Sequence, residues 1–134
     1  MKAEELRIGN LVSNMNPRHN DSILTIESIG DNHEVNVFYR KYLLSELEPI
    51  PLTEEWLLKF GYCKKIGARV GYGYDCGHGI MRVIQYNATL YQYRTWSNID
   101  RLNGFSWNKT RIDYVHQLQN LYFALTGEEL TLKP

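Results

Sequence analysis

Six residues of one stretch have the side chains best suited to recognition: Tyr72, Tyr74, Tyr91 and Tyr93, mixed with Arg82 and Arg94. Aromatic rings and guanidinium groups on a sheet can stack on single-stranded bases and neutralise phosphates. The same two residue types dominate protein interfaces, where rigid tyrosines and arginine anchors give contact energy at low entropy cost. A tyrosine-rich sheet packed under a helix would use the same residues with no ligand at all. The stretch is locally basic. Residues 61 to 120 carry 8 basic and 3 acidic side chains (net +5), whereas residues 1 to 60 carry 6 basic and 10 acidic ones (net −4). Most of the ten tyrosines lie in the basic stretch.

Other groupings offer less. The run Gly71-Tyr72-Gly73-Tyr74-Asp75-Cys76-Gly77-His78-Gly79 invites a phosphate loop, but a dinucleotide fingerprint needs glycine where Cys76 stands, and a P-loop needs Gly-Lys-Ser/Thr. A glycine-rich, flexible hairpin end is the simpler expectation. Cys63, Cys76 and His78 could give three zinc ligands, with His19, His33 or His116 as a distant fourth. No Cys-x-x-Cys or His-x-x-x-His pair pre-positions two of them. A Cys76/His78 nucleophile pair lacks a base drawn from elsewhere in the fold. No catalytic residue, metal ligand or cofactor is therefore assigned.

Near the C-terminus Asp113, His116, Gln117 and Asn120 fall at i, i+3, i+4 and i+7, one polar face of a helix. An Asp/His pair there could do acid–base work. The wet side of an amphipathic helix shows the same pattern, so a solvated face is expected. If function lives on this helix, His116 takes part in recognising a partner.

The elements that must position these residues are legible in outline. Short apolar runs at Arg7 to Ser13, Ile23 to Ile29, Glu34 to Tyr39 and Leu47 to Ile50, bounded by Asn, Asp, Gly or Pro, predict strands. Val35 and Val37 alternate with Glu34, Asn36 and Phe38, so one face of that strand is buried. Asn14 to Asp21, with Pro17 and no apolar period, reads as a mobile loop. Together residues 1–50 predict a small SH3-like β-barrel, by analogy of fold alone.

The step Glu48-Pro49-Ile50-Pro51 is a stiff joint and the best domain boundary. After it Thr53 is a candidate cap, Glu54 and Glu55 suit the positive end of a helix dipole, and Gly61 stands where a left-handed terminator belongs. That helix has only about two turns, so Trp56, Leu57 and Phe60 must anchor it in a core. Tyr62 to Val70, Ile80 to Tyr86, Leu90 to Trp96 and Phe105 to Trp107 then read as an antiparallel meander, with a tight turn at Asn87-Ala88-Thr89. In its third strand Tyr91 and Tyr93 face one way, Leu90, Arg94 and Trp96 the other. If Leu90 and Trp96 face the core, the tyrosines form the outward, binding side. A closing helix of about 16 residues comes last, capped by Thr110-Arg111-Ile112-Asp113, with Ile112, Val115, Leu118, Leu121, Tyr122 and Leu125 on its apolar stripe and Gly127 at its end. The fold class is α+β: residues 1–50 the barrel, and residues 51–134 the helix, meander and closing amphipathic helix.

The start KAEELRIGN, the centre PIPLTEEWLLKFG and the end YVHQLQNLYFALTG resemble a family of uncharacterised small proteins found in gut-bacterial genomes, phages and mobile elements. The resemblance implies a mobile-element setting and brings no activity, catalytic residue or ligand with it.

Composition bounds the rest. The 134 residues are 43% hydrophobic and 22% charged with no net charge, and aromatics reach 13%, which excludes a disordered chain. Two cysteines fit a reducing compartment, the N-terminus lacks the apolar run of a signal peptide, and no stretch is long and apolar enough for a membrane span. The Asn-x-Ser/Thr triplets at Asn20, Asn87 and Asn108 are then coincidental. The sequence therefore predicts a cytoplasmic, non-enzymatic accessory protein that binds a partner protein, with no membrane and no cofactor. The alternative is a nucleic-acid-binding module using the basic aromatic sheet of residues 62–107.

Overall fold

A computed structural model describes residues 1–14, 23–31, 34–37, 40–62 and 111–133, together with the backbone of residues 63–65, 71–75, 80–85 and 91–95. Expectations for the loop 15–21, Cys76 and His78, the turn 87–89, Leu90, Trp96, the strand 105–107 and the cap at Thr110 lie outside the described residues. The fold is α+β, with antiparallel sheets and a C-terminal helix. No described helix is long and apolar enough to cross a membrane.

By its contacts the chain divides into two units, residues 1–51 with 114–129, and residues 52–113 with 130–134. The closing helix, expected with residues 51–134, thus belongs to the first unit. Its apolar stripe finds cover there.

In the first unit β1 (Leu11–Asn14) pairs with β2 (Ile23–Thr25) on one side and β6 (Leu47–Glu48) on the other. A second sheet has the order β3 (Ser28–Ile29), β4 (Glu34–Val37), β5 (Arg40–Leu43). The segment expected as one strand, Ile23 to Ile29, divides between the sheets. Ile26 N–H still donates to the Asn10 carbonyl, and the next amide, Glu27, donates to Asn36. β4 alternates as expected, with Val35 and Val37 buried and Glu34 and Asn36 half-buried. Val12, Leu24, Leu47, Val35 and Val37 join Leu6 and Ile26 in one apolar cluster, so both sheets share a core. Among the described residues the strands do not close into a barrel. The edge strand β5 was not anticipated, because Arg40, Lys41 and Leu43 are exposed and give no alternation.

α2 (Val115–Thr126) closes this unit, packed against β1. It has 12 residues rather than about 16, because Arg111 and Ile112 form a short strand instead of a first turn. The helix starts where the Tyr114 N–H donates to Gln117 Oε1 at 3.1 Å. Val115, Leu118 and Tyr122 are buried, whereas Leu125 is exposed and Leu121 only half-buried. Gly127 ends it with φ 73°, its N–H donating to the Phe123 carbonyl, an arrangement that needs the left-handed region.

In the second unit α1 (Glu54–Lys59) terminates as expected. Gly61 adopts φ 93°, its N–H donates to Leu58, and the Tyr62 N–H reaches back to Leu57. These two bonds form a Schellman motif, and the accompanying apolar contact is supplied by buried Leu57 and Tyr62. Thr53 precedes the helix with extended backbone, but its side chain makes no capping bond. Trp56, Leu57 and Phe60 are buried. A helix of six residues has no stability of its own and exists because these side chains are covered.

The same unit holds one five-stranded antiparallel sheet, β7 (Cys63–Lys65), β8 (Gly71–Asp75), β9 (Ile80–Gln85), β10 (Tyr91–Thr95) and β11 (Arg111–Ile112), in the spatial order β11-β10-β9-β8-β7. Residues 71–75, expected as part of a flexible hairpin end, form β8 and pair on both sides. Two glycines weaken strand propensity, but two flanking strands supply partners for the backbone groups, and that pairing decides.

Candidate functional site

Two places hold the residues singled out by sequence. The first is a polar seam where α2 meets the segment Glu5–Leu11. Gln119 is only 2% exposed: its Oε1 accepts the Leu11 N–H at 2.9 Å and its Nε2 donates to the Gly9 carbonyl at 3.2 Å. Asn120 sits one residue on. Its Nδ2 donates to the Glu5 carbonyl at 2.7 Å, and its Oδ1 accepts from Asn10 Nδ2 at 2.8 Å and Arg7 Nη1 at 3.3 Å. Asn10 is fully buried and accepts the Arg7 N–H through Oδ1. These amides satisfy backbone groups that neither helix nor sheet pairs, which is why polar side chains stand at covered positions.

At the outer end of the seam the Arg7 guanidinium pairs with Glu129 and lies 4.0 Å from the Phe123 ring centroid. Arg7 is half-buried there, whereas Phe123 is 39% and Ile8, the next residue in the chain, 62% accessible.

His116 lies in the same unit and corrects the expected solvated face: it is completely buried. Its ring stacks on Tyr114 at 5.8 Å between centroids and 10° between planes. Nε2 is 3.9 Å from Glu5 Oε2, beyond hydrogen-bond range, and among the described residues neither ring nitrogen has a hydrogen-bond partner. Burial lowers the imidazole pKa below its ordinary value; Glu5 opposes that shift and the Met1 amino group reinforces it. His116 is therefore neutral at physiological pH. The other members of the expected polar face are also engaged, Gln117 on the Tyr114 amide and Asp113 on Arg111 Nε at 2.7 Å.

The second place is the five-stranded sheet. Directly opposite residues of neighbouring strands share a face, and faces alternate along each strand. The register sets Tyr91 opposite Gln85 and Ile112, Tyr93 opposite Val83 and hence Tyr72, and Tyr74 opposite Met81 in the row of Thr95. All four candidate tyrosines thus share one face with Ile112. The alternate rows are Arg111-Gln92-Ile84-Gly71-Lys65 and Arg94-Arg82-Gly73-Cys63. Arg82 and Arg94 therefore stand directly opposite each other on the other face, with Arg111 and Lys65. The six candidate residues do not form one surface.

The seam residues Asn10, Gln119 and Glu5 were missed by sequence reasoning. One signal was available: position 119 falls within the stripe of 115, 118 and 122, so a glutamine at a core position demanded a partner. Among the described residues no group of three or more His, Cys, Asp or Glu is gathered as a metal would require. Compared with known proteins, the chain matches no protein-family model, no curated protein and no solved structure.

Proposed function

We propose that the chain is a non-enzymatic accessory protein of phage or mobile-element type, working in the cytoplasm, that acts by binding a partner protein. The observation that carries this reading is exposed Phe123 with the Arg7 guanidinium over its ring, together with exposed Ile8, the residue after Arg7. Arginine and aromatic residues are the anchors that interfaces concentrate, and this pair is already ordered by Glu129 and Asn120, so little entropy remains to be lost on docking. An open groove of about 890 Å³ in the same unit, lined by residues 1–4 with Leu43, Leu44 and Leu47, adds apolar surface. The amides of the seam are occupied in holding α2, which supports a scaffold role for them rather than a catalytic one.

The finer reading of residues 1–50 as an SH3-like barrel is supported by two three-stranded sheets, β6-β1-β2 and β3-β4-β5, that share one core, with a 3-10 turn (Leu44–Glu46) between β5 and β6. A second functional reading, nucleic-acid binding through residues 62–107, is favoured by the basic rows of the five-stranded sheet.

The test of the first reading compares wild type with an Ile8→Asp/Phe123→Ala variant, both immobilised and exposed to bacterial extract. A defined protein retained by wild type at about 0.5 M salt, where exposed charge pairs are screened, and lost from a variant with unchanged melting temperature is the expected result. Equal retention by both would remove the patch as the binding site.

A further inference from the structure

The sheet of the second unit separates its candidate residues by chemistry. Tyr72, Tyr74, Tyr91 and Tyr93 lie on the face that includes Ile112, which is 1% exposed. Lys65, Arg82, Arg94 and Arg111 lie on the opposite face, and the Arg111 side chain is 63% exposed. An antiparallel sheet commonly covers one face and leaves the other to water. At β11, where side chains fix the two sides, the covered one is the tyrosine side and the open one is the basic side.

We infer that the face bearing Lys65, Arg82, Arg94 and Arg111 binds the phosphodiester backbone of nucleic acid, without stacking bases on the tyrosines. The inference rests on the nucleic-acid reading of the sheet and sharpens it. Three features of the face point to phosphate. Lys65 and Arg111 stand at opposite ends of one row, so the basic residues extend about 19 Å across the five strands, a span over which duplex DNA carries many charges. Gly71 and Gly73 fall in the basic rows, and a residue without a side chain lets a ligand backbone approach the sheet closely. Arg82 and Arg94 are directly opposite across the β9–β10 ladder. Like charges in that relation oppose folding, and an anion seated over them would relieve the repulsion. Two acids adjoin the face: Asp75, in the row of Ile80 at its far end, and Asp113, whose Oδ1 accepts from Arg111 Nε at 2.7 Å, a surface pair that a phosphate must displace.

The separation also distinguishes this surface from a stacking platform. Proteins that grip single strands through bases need rings and cations on the same side; here the register puts Arg82, Arg94, Arg111 and Lys65 on the side away from the four tyrosines, with Lys64, opposite Tyr72, on the tyrosine side. Single-stranded and duplex nucleic acid should therefore bind comparably, with salt as the main control.

The experiment is a fluorescence-anisotropy titration of one labelled oligonucleotide, single-stranded and as a duplex, with polyglutamate as a competing polyanion. Three to four phosphate contacts predict a duplex affinity that falls roughly 40- to 150-fold between about 0.05 and 0.2 M salt. Arg82→Ala/Arg94→Ala should weaken binding at least about tenfold while leaving the melting temperature equal or higher, since a like-charge pair is removed. Arg111→Ala and Lys65→Ala provide the same test at the two edge strands, should the double variant fail to fold. Tyr93→Leu should leave the affinity of the folded protein unchanged.

Absence of binding at the lower salt would overturn the inference, as would arginine variants that bind like wild type. Loss of affinity confined to Tyr93→Leu would place recognition on the other face. Polyglutamate competing as well as the oligonucleotide would make the ligand an acidic protein. Failure of the nucleic-acid titration together with retention of a partner at Ile8 and Phe123 would defeat this inference and leave the protein-binding reading intact.

Discussion

At the scale of single residues His116 shows how burial and charge decide a side chain's state. A neutral imidazole is tolerated inside a unit; among the described residues an imidazolium there has only Glu5, 3.9 Å away, to offset its lost hydration, and the Met1 amino group opposes it. The folded-state pKa is therefore below the unfolded value of 6.5. Below about pH 6.5 the unfolded chain takes up a proton that the folded chain refuses, so stability falls with pH, by up to about 1.4 kcal/mol per pH unit, until the folded-state pKa is reached. His116→Leu has similar volume and no proton to bind. We expect its stability at about pH 7.5 to lie within about 1.5 kcal/mol of wild type, with the variant gaining on wild type as pH falls to about 5. Parallel denaturant titrations across that range measure the difference. A gap that stays constant with pH would show that His116 does not titrate with folding.

At the scale of elements α2 is the decisive case. Its C-terminal end follows a local rule: Gly127 takes positive φ, and a Cβ added there would meet nothing within 4 Å, so Gly127→Ala should cost about 1 kcal/mol through backbone strain alone. Its middle follows packing. Leu118 is fully buried and Leu125 is 44% exposed, although the two share the apolar period. Leu118→Ala should destabilise by about 2 to 5 kcal/mol, whereas Leu125→Ala should stay within roughly 0.5 kcal/mol. Chemical denaturation of the two variants checks both values, and equal losses would mean that the helix is rotated away from the orientation that buries Leu118.

At the scale of the whole molecule the first unit is assembled from both halves of the chain, residues 1–51 and 114–129. Without α2, the Leu11 N–H and the Gly9 and Glu5 carbonyls lose their partners, and the covering side chains Val115, Leu118 and Tyr122 are gone. A chain ending at Asp113 should therefore lose slow amide exchange at Leu11, Val12 and Ile26. A synthetic peptide of residues 114–129 should restore it in trans. Protection that survives truncation would show that the N-terminal strands are self-sufficient.

How much of the fold and of the site was legible in the sequence depends on the range of the forces involved. The ends of α1 at Gly61 and of α2 at Gly127, the alternation of Val35 and Val37 and the α+β class follow from residue type and pattern, and the sequence by itself determined them; that α1 needs Trp56, Leu57 and Phe60 in a core was legible from its shortness, but their cover is tertiary. The start of α2 was not local: Ile112 shares a helical period with Val115 and Leu118, but pairing with β10 captured Arg111 and Ile112 as a strand. β8 was hidden because Gly71 and Gly73 read as turn residues until two neighbouring strands supply the hydrogen bonds. His116 and Asn120 read as solvent-facing because only the tertiary arrangement sets the segment from Glu5 onward against that side of α2. The division of tyrosines from arginines is the mixed case. Alternation along β10 already separated Tyr91 and Tyr93 from Arg94, but which tyrosine joins which arginine across five strands depends on register, and register is a property of paired strands rather than of any one segment.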